Sequence, residues 1–372
     1  MADNLLDKAS ILLTPTAYND GSMLSIKPEN GDGDFTFSRG GNASRTDSSG
    51  EIVTESANIP RIDYTDGCGS WLLEPQSTNL VTYSEDFSLW ANGATYTTQN
   101  YSVSPSGEQN ASRCLFTGAD QNIQSSFSNS AETTASIYVK GVSGETIRFG
   151  TSFQENNFTL DGTWQRLSIT RSVSPYSFAI NIGTYGGATA RDIEIWGAQV
   201  ENLSYATSYI PTNGSIATRL ADVANNSGNA SLINSTEGVL YAEIAALENG
   251  SSIKIIELND GTSSNRVFVY LRNDRITYEV KSNGITSAGG TYDNLGVLNF
   301  HKIAVKWKDN DFALWLDGAK VLSDTSGSSP LALDRINFTD PFGGIPFYGK
   351  CKALAVYKEA LTDAELQSLT TI

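Results

Sequence analysis

The sequence predicts an all-β fold: two tandem antiparallel β-sandwiches preceded by an irregular N-terminal assembly segment. Short runs in which apolar and polar residues alternate recur from about residue 83 to the C-terminus, and this period of two is typical of strands with one buried face. Turn-forming pairs such as Asp161-Gly162 and Asp317-Gly318 separate the runs, at a spacing typical of sandwiches. A chain of 372 residues is long enough for two such domains.

Changes in composition divide the chain into five predicted parts. These are a leader or assembly segment (1–57), a pivot segment (58–82), a first sandwich (83–212), a linker (213–236) and a second sandwich (237–372). The leader has too few apolar residues to bury a core of its own, so we expect it to pack on a neighbouring segment or on copies of itself. The pivot is dense in large apolar residues, and we interpret it as a clasp between the leader and the first sandwich.

In the first sandwich, apolar residues at positions i and i+2 predict strands that face a core. The pairs are Ile137 and Val139, Leu167 and Ile169, and Ile193 and Ile195. Trp164 is expected to be a core residue as well. The linker that follows is rich in Asn, Ser, Gly and Ala, a composition typical of flexible connections.

The second sandwich has the sharper pattern. Its predicted core positions lie on three strands: Val267, Val269 and Leu271; Ile303, Val305 and Trp307; and Phe312, Leu314 and Leu316. Asp317-Gly318 is a strong signal for a tight hairpin turn. Thr362 followed by Glu365 predicts a capping box at the start of a short last helix.

Charge and hydropathy exclude several kinds of partner. The chain has 41 acidic and 25 basic residues, for a formal net charge of −16, which disfavours binding to phosphate backbones. No apolar run reaches the length needed to cross a bilayer, and the N-terminus lacks the pattern of a secretion signal. We therefore expect no nucleic-acid partner, no membrane insertion and synthesis in a cytoplasm.

Motifs for catalysis and for cofactors are missing from the sequence. Cys68, Cys114 and Cys351 are far apart and are interpreted as small buried thiols in a reduced compartment, and His301 is the single histidine. Asp192 and Glu194 come nearest to the carboxylate pair of a glycosidase, but the third acidic residue of that pattern is missing. We predict no catalytic residues and no cofactor.

One acidic stretch resembles a calcium-binding loop. Asn30, Asp32 and Asp34 alternate with glycines, but the Glu that closes an EF-hand loop is absent at the required spacing. A tight acidic turn is the other interpretation, and the sequence does not decide whether calcium binds near Asp32 and Asp34. No metal site is predicted from it.

Several segments resemble structural proteins of tailed bacteriophages. They are GDFTFSRGGNASRTDSSGEI, PRIDY, LLEPQSTNL, YSEDFSLW, IEIWGAQVENLSYATSYIPT and TRLADVA, which together span Gly33–Ala224. The resemblance implies a protein of the virion, of head-fibre, tail-fibre or capsid-decoration type. It leaves open whether the protein belongs to the head or to the tail.

Two further resemblances concern the sandwiches. The first sandwich is similar to the jelly-roll carbohydrate-binding modules that accompany glycoside hydrolases. The second, through HKIAVKWKDNDFALWLDGAKV and FYGKCKALAVYKEALTDAELQSL, resembles the concanavalin A-like laminin-G and pentraxin family. These resemblances imply lectin-like domains, although such folds host many functions.

Strand phase selects the candidate glycan-binding residues. Because side chains alternate between the two faces of a strand, Trp315 and Asp317 are predicted to point away from the core, and so are Phe268, Tyr270 and Arg272. Aromatic faces beside charged groups suit a sugar. The alternatives are that these aromatic residues are covered by the first sandwich, by a loop or by a sister subunit, or that they are simply exposed.

We therefore predict a non-enzymatic phage virion protein. Its lectin-like domains would attach to host or environmental glycans, and its partners would be other virion proteins of the capsid or tail. The leader and the phage resemblance together suggest a homotrimer, although the sequence itself does not determine the number of subunits. The alternative is a polysaccharide-degrading enzyme or the carbohydrate-binding module of one.

Overall fold

A computed structural model describes residues 5–15, 23–92, 95–128, 132–152, 154–171, 179–184 and 189–372. Within these ranges the chain forms 29 β-strands but only two short α-helices, α1 (Leu5–Lys8) and α2 (Asp363–Thr370), and one 3₁₀ turn (Phe87–Leu89). The predicted all-β, antiparallel fold class is confirmed. None of the helices in these ranges is long and apolar enough to span a bilayer.

The strands are numbered in chain order. The first fifteen are β1 (Ala9–Leu13), β2 (Thr36–Ser38), β3 (Ala43–Thr46), β4 (Ile52–Glu55), β5 (Arg61–Asp63), β6 (Ser70–Leu73), β7 (Ser77–Asn79), β8 (Ala91–Asn92), β9 (Thr95–Ser102), β10 (Ala111–Phe116), β11 (Asn122–Ser126), β12 (Thr133–Lys140), β13 (Thr146–Thr151), β14 (Gln154–Thr159) and β15 (Gln165–Arg171). The others are β16 (Ala179–Gly183), β17 (Arg191–Glu201), β18 (Ala217–Arg219), β19 (Val223–Asn225), β20 (Glu237–Ala246), β21 (Lys254–Asn259), β22 (Arg266–Arg272), β23 (Arg275–Ser282), β24 (Ile285–Asp293), β25 (His301–Lys308), β26 (Phe312–Leu316), β27 (Ala319–Asp324), β28 (Arg335–Asn337) and β29 (Gly349–Tyr357).

The strands form two compact units, and neither unit is continuous in sequence. The terminal unit contains Met1–Gly40, Ala57–Pro75 and Ala221–Ile372, and the central unit contains Gly41–Ser56 and Gln76–Leu220. This division differs from the predicted one, because the leader, the pivot and the linker are each shared between the two units.

The central unit contains two five-stranded antiparallel sheets. Their strand orders are β15-β12-β17-β10-β9 and β14-β13-β16-β11-β8. The predicted core positions on β12, β15 and β17 are all buried in one apolar cluster, which confirms their phase. Trp164 was expected in that core, but it lies in a smaller cluster with Trp196 and Tyr209, and its ring N–H donates to the carbonyl of Val103 at 3.2 Å.

The terminal unit contains an eight-stranded and a five-stranded sheet. The larger has the order β27-β26-β25-β20-β29-β6-β5, with β1 also paired to β29, and the smaller has the order β24-β23-β22-β21-β28. All nine predicted core residues of the second sandwich lie in its main core. The hairpin at Asp317-Gly318 forms, with positive φ at both residues, and the capping box of Thr362 and Glu365 is present on α2.

Leader and pivot strands complete the larger sheet of the terminal unit. Leu13 of β1 pairs with Leu354 of β29, and Trp71 of β6 pairs with Cys351 of the same strand. The first part of the pivot therefore joins the leader to the second sandwich, while Val81 near its end is buried in the core of the central unit. The predicted clasp between the leader and the first sandwich thus also includes strands of the second sandwich. β29 pairs with β20 along one edge, and β1 and β6 pair with the N–H and C=O groups of its other edge, as buried backbone groups require.

The predicted linker also forms strands. β18 pairs with β7 in the central unit, and β19 pairs with β2 in the terminal unit. Strands of three residues are too short to produce a visible alternation of polar and apolar residues, so their polar composition resembled a flexible connection.

Four charged side chains are buried together in the terminal unit. Arg39 donates to the carboxylate of Asp222 at 3.0 Å, Arg61 donates to the same carboxylate, and Arg61 also donates to Glu74 at 2.7 Å. Each side chain is at most 3% exposed. We call these four residues the arginine cluster. Each lies within a few residues of a point where the chain passes from one unit to the other.

A second buried polar network occupies the central unit. Ser77 donates to Glu201 at 2.6 Å, the backbone N–H of Thr207 donates to the same carboxylate at 3.0 Å, and Arg219 donates to the Thr207 hydroxyl at 3.0 Å. Both networks are built from the segments that resemble phage proteins. The buried charges and polar groups in those segments therefore hold the fold together.

Two of the three thiols are buried as expected. Burial raises the pKa of the Cys114 thiol to about 12 and raises that of Cys351 as well. Cys68 is exposed, which corrects the expectation of three buried thiols.

Candidate functional site

The outer face of the five-stranded sheet in the terminal unit carries three of the five predicted site residues. On β22, Val267, Val269 and Leu271 point into the core, so the alternate residues of this strand lie on the opposite face. These residues are Arg266, Phe268, Tyr270 and Arg272. The predicted phase of this strand is therefore confirmed.

A cavity of about 190 Å³ opens on this face. It is lined by Tyr270, Arg272, Asn273, Arg275, Thr277 and Thr291. Pairing of β22 with β23 places Tyr270 opposite Thr277 and Arg272 opposite Arg275. The turn between the two strands, Asn273-Asp274, has positive φ at both residues, as a two-residue hairpin requires.

Of the two guanidinium groups that line this cavity, one is ion-paired and the other is not. Arg275 forms an ion pair with Asp293, with its Nε 2.6 Å from the carboxylate. Arg272 is exposed, and its side chain forms no ion pair or hydrogen bond with any residue in the described ranges. A planar fork of donors without an intramolecular acceptor suits a carboxylate from outside the protein.

The aromatic residues beside Arg272 differ in exposure. The rings of Phe268 and Tyr270 are stacked with centroids 5.9 Å apart, and the guanidinium of Arg266 lies 4.7 Å from the Phe268 ring. Phe268 is only 6% exposed, whereas Tyr270 is half-buried. Phe268 therefore supports Tyr270 from the side, and Tyr270 is the ring that remains available to a sugar.

A buried carboxyl group lies next to Phe268 on the same face. Glu257 of β21 is paired with Phe268 and is fully buried. Burial raises the pKa of Glu257 to about 8, although the charge of Arg266 opposes the shift. The Arg266 guanidinium is 3.6 Å from the carboxyl oxygen.

The raised pKa of Glu257 predicts a pH-dependent stability. Its folded value, about 8, lies above its ordinary value of 4.5, so the favourable contribution is complete below about pH 4.5 and is lost as the pH rises toward 8. As the pH rises through this window, the wild type should lose stability relative to Glu257→Gln. The difference between their free energies of unfolding should change by up to about 1.4 kcal/mol per pH unit. Urea titrations at pH 5, 6.5 and 8 measure the difference, and parallel curves for the two proteins would contradict it.

Trp315 and Asp317 do not belong to this face. Trp315 lies on β26 in the eight-stranded sheet and is 6% exposed, because it packs in a second apolar cluster with Tyr241, Leu361 and Leu366. The prediction of Trp315 as a sugar platform is therefore corrected. Its cover includes the last helix of its own unit, which the three proposed covers did not include.

Asp317 has a structural role at the hairpin turn. Its carboxylate is 2.6 Å from Nδ1 of His301 and accepts the backbone N–H of Lys302 at 2.9 Å. These contacts hold the carboxylate at the turn, on a different sheet from Tyr270 and Arg272.

Sequence reasoning missed Arg275, Thr277 and Thr291. The signal was present in the Asn273-Asp274 turn, because a two-residue hairpin fixes the register and so places 272 opposite 275 and 270 opposite 277. Thr291 depends on the pairing of β23 with β24, which has no comparably tight turn signal.

The other sequence candidates for chemistry are bound in local contacts. Asp192 accepts from Arg113 at 2.7 Å, and Glu194 accepts from Ser102 at 2.6 Å. Asp34 accepts the backbone N–H of Ser25 at 2.8 Å. Within the described ranges, no group of three or more His, Cys, Asp or Glu side chains is arranged to hold a metal ion.

Comparison with known proteins gives no match to a family model or to a curated protein. Among solved structures, the chain is similar to the Ruminococcus gnavus IT-sialidase CBM40 bound to alpha2,3 sialyllactose, with a TM-score of 0.33 and 14% identity over 39% of this chain and 93% of that one. It is similar to a leech intramolecular trans-sialidase, with a TM-score of 0.33 and 15% identity over 40% of this chain and 26% of that one. It is also similar to a SAP-like pentraxin from Limulus polyphemus, with a TM-score of 0.27 and 14% identity over 36% of this chain and 68% of that one. Scores this low support no statement about ligand or activity.

Proposed function

We propose that the protein is a non-enzymatic virion protein of a tailed phage that binds acidic glycans on the outer face of its five-stranded sheet. The observation that carries the binding proposal is the unpaired guanidinium of Arg272 beside Tyr270, in a cavity of about 190 Å³. The virion part rests on the segments between Gly33 and Ala224 that resemble phage structural proteins.

The chemistry of the cavity favours a sugar that bears a carboxylate. Arg272 offers parallel N–H donors to the carboxylate, and the half-buried ring of Tyr270 offers a face to the sugar ring. The hydroxyl groups of Thr277 and Thr291 lie 2.8 Å apart and can exchange hydrogen bonds with sugar hydroxyls. Because the protein carries a net charge of −16, long-range attraction does not favour an anion, and these local contacts must provide the affinity.

We expect Arg272→Ala to weaken binding of an acidic glycan by about 10- to 100-fold, the usual worth of a hydrogen bond to a charged group. The melting temperature should stay unchanged, since the Arg272 side chain is exposed and forms no hydrogen bond or ion pair within the described ranges. Calorimetric titration with oligosaccharides of sialic acid and of galacturonic acid, with neutral dextran as the comparison ligand, measures the effect.

Arg113→Ala is the control for a loss of positive charge, because it removes a partly exposed guanidinium from the central unit, where it is paired with Asp192. It should leave the affinity unchanged, whereas Arg272→Lys should give an intermediate loss since it keeps the charge but not the fork. Equal affinities of the wild type and Arg272→Ala, or no acidic glycan bound by either, would remove the binding proposal.

Location and oligomeric state belong to the same proposal. We propose that the chain is part of the head or tail of the particle, contacts other virion proteins and forms a homotrimer. Ile11, Met23 and Phe35 of the leader are buried in the core of their own unit, so of the two expected partners the leader packs on neighbouring segments. The trimer therefore rests on the phage resemblance alone. Mass spectrometry of purified particles and light scattering of the purified chain test these points.

A further inference from the structure

A polar cleft of about 530 Å³ lies in the central unit. It is lined by Glu85, Asp86, Gln99, Asn100, Asn110, Pro211, Thr212 and Asn213. Two carboxylates and four amides thus face one cavity, and Pro211 is its one apolar lining residue. The volume is within the range of small-molecule sites in proteins, about 300–1,000 Å³.

Neutral donors hold both carboxylates in place. Glu85 accepts from the hydroxyl of Tyr209 at 2.8 Å and from the amide of Asn110 at 3.1 Å. Asp86 accepts from the amide of Gln99 at 2.6 Å, while the Gln99 oxygen accepts from the Ser112 hydroxyl at 3.1 Å. The carboxylates are therefore oriented before any ligand arrives.

The charge of these carboxylates is not compensated. No Lys or Arg in the described part of the chain forms an ion pair with Glu85 or Asp86, and this contrasts with Asp192 and Glu194 of the same unit, which pair with Arg113 and Lys140. Two negative charges repel an anionic ligand. The same oxygens accept hydrogen bonds from neutral hydroxyl groups, and such charge-assisted bonds are the stronger kind.

We propose that this cleft is a saccharide site for a neutral sugar, separate from the acidic-glycan site of the terminal unit. Neighbouring hydroxyl groups of the sugar donate to Glu85 and Asp86, and the amides of Asn100 and Asn213 provide further donors and acceptors. A cation is the competing occupant. Calcium takes six to eight oxygen ligands at short range, and a cleft of about 530 Å³ is far larger than such a shell.

The test uses the full chain on a printed array of neutral oligosaccharides of glucose, galactose and N-acetylglucosamine, with sialylated and uronic-acid glycans on the same surface. We expect neutral glycans to bind the wild type and the double variant Glu85→Gln/Asp86→Asn to lose roughly tenfold or more in affinity. Asn replaces Asp well at the start of a helical turn, so the 3₁₀ turn that Asp86 caps should persist. The melting temperature of the double variant should therefore stay close to that of the wild type.

Asn213→Trp is the second variant, because it fills the cleft from an exposed position without touching the carboxylate network. It should abolish neutral-glycan binding even if the double variant fails to fold. Arg272→Ala should lose acidic glycans only, which separates failure of this site from failure of the other. Absence of neutral-glycan binding, or a rise in melting temperature with calcium chloride and with no sugar, would overturn the proposal.

Discussion

Replacement of Asp222 by Ala is expected to lower the free energy of unfolding of the terminal unit by about 3–5 kcal/mol, the usual cost of removing one partner from a buried ion pair. Asp222 accepts hydrogen bonds from Arg39, from Arg61 and from the backbone N–H of Glu74. Without it, Glu74 is the one carboxylate left in the arginine cluster, and it is paired with Arg61. Urea unfolding followed by tryptophan fluorescence measures the loss.

Asp192→Ala provides the control for Asp222. Asp192 also pairs with an arginine, but its side chain is 48% exposed, and exposed pairs contribute about 0–1 kcal/mol. A large loss for Asp222→Ala beside a small loss for Asp192→Ala would show that burial, and not the mere count of ion pairs, decides the contribution. Similar losses in the two variants would contradict the structural role of the arginine cluster.

Trp315→Ala is expected to cost about 3–5 kcal/mol of stability, as truncation of a buried Trp usually does, and to leave glycan affinity unchanged. The indole packs in an apolar cluster with Tyr241 and Leu366, and Ala would leave a cavity between the eight-stranded sheet and α2. Thermal melting and calorimetric titration of the same preparation measure both quantities.

Tyr270→Ala should show the reverse pattern, because Tyr270 is half-buried and lines the proposed glycan cavity. We expect weaker glycan binding with a small change in melting temperature. A Trp315→Ala protein that keeps its stability and loses glycan binding would restore Trp315 as a sugar platform and refute the assignment made from its burial.

Local features of the fold were predictable from the sequence. The core phase of β22, β25 and β26, the turn at Asp317-Gly318 and the cap at Thr362 depend on residues one to three positions apart. The sequence shows such spacings directly, since strand alternation and turn chemistry are short-range properties of the backbone. Phe268, Tyr270, Arg272 and Trp315 were accordingly placed on the correct faces of their strands.

The tertiary structure decided which outward-facing residues are available to a ligand. Phe268, Tyr270 and Trp315 have the same outward phase, yet only Tyr270 is appreciably exposed. The cover of Trp315 includes a helix that begins almost 50 residues later, at Asp363. No local pattern encodes a cover that comes from a distant segment, so exposure had to come from the packed structure.

Pairing between distant segments was likewise a tertiary result. The sequence shows that Arg39, Arg61, Glu74 and Asp222 occur in the segments that resemble phage structural proteins. It does not show that their side chains meet. Arg61 and Asp222 are separated by 161 positions, and closing a longer loop adds little entropy cost because that cost grows only with the logarithm of loop length. Pairing with any of many distant partners therefore costs the unfolded chain nearly the same entropy. The burial and hydrogen bonding of the complete fold decide which partner is chosen.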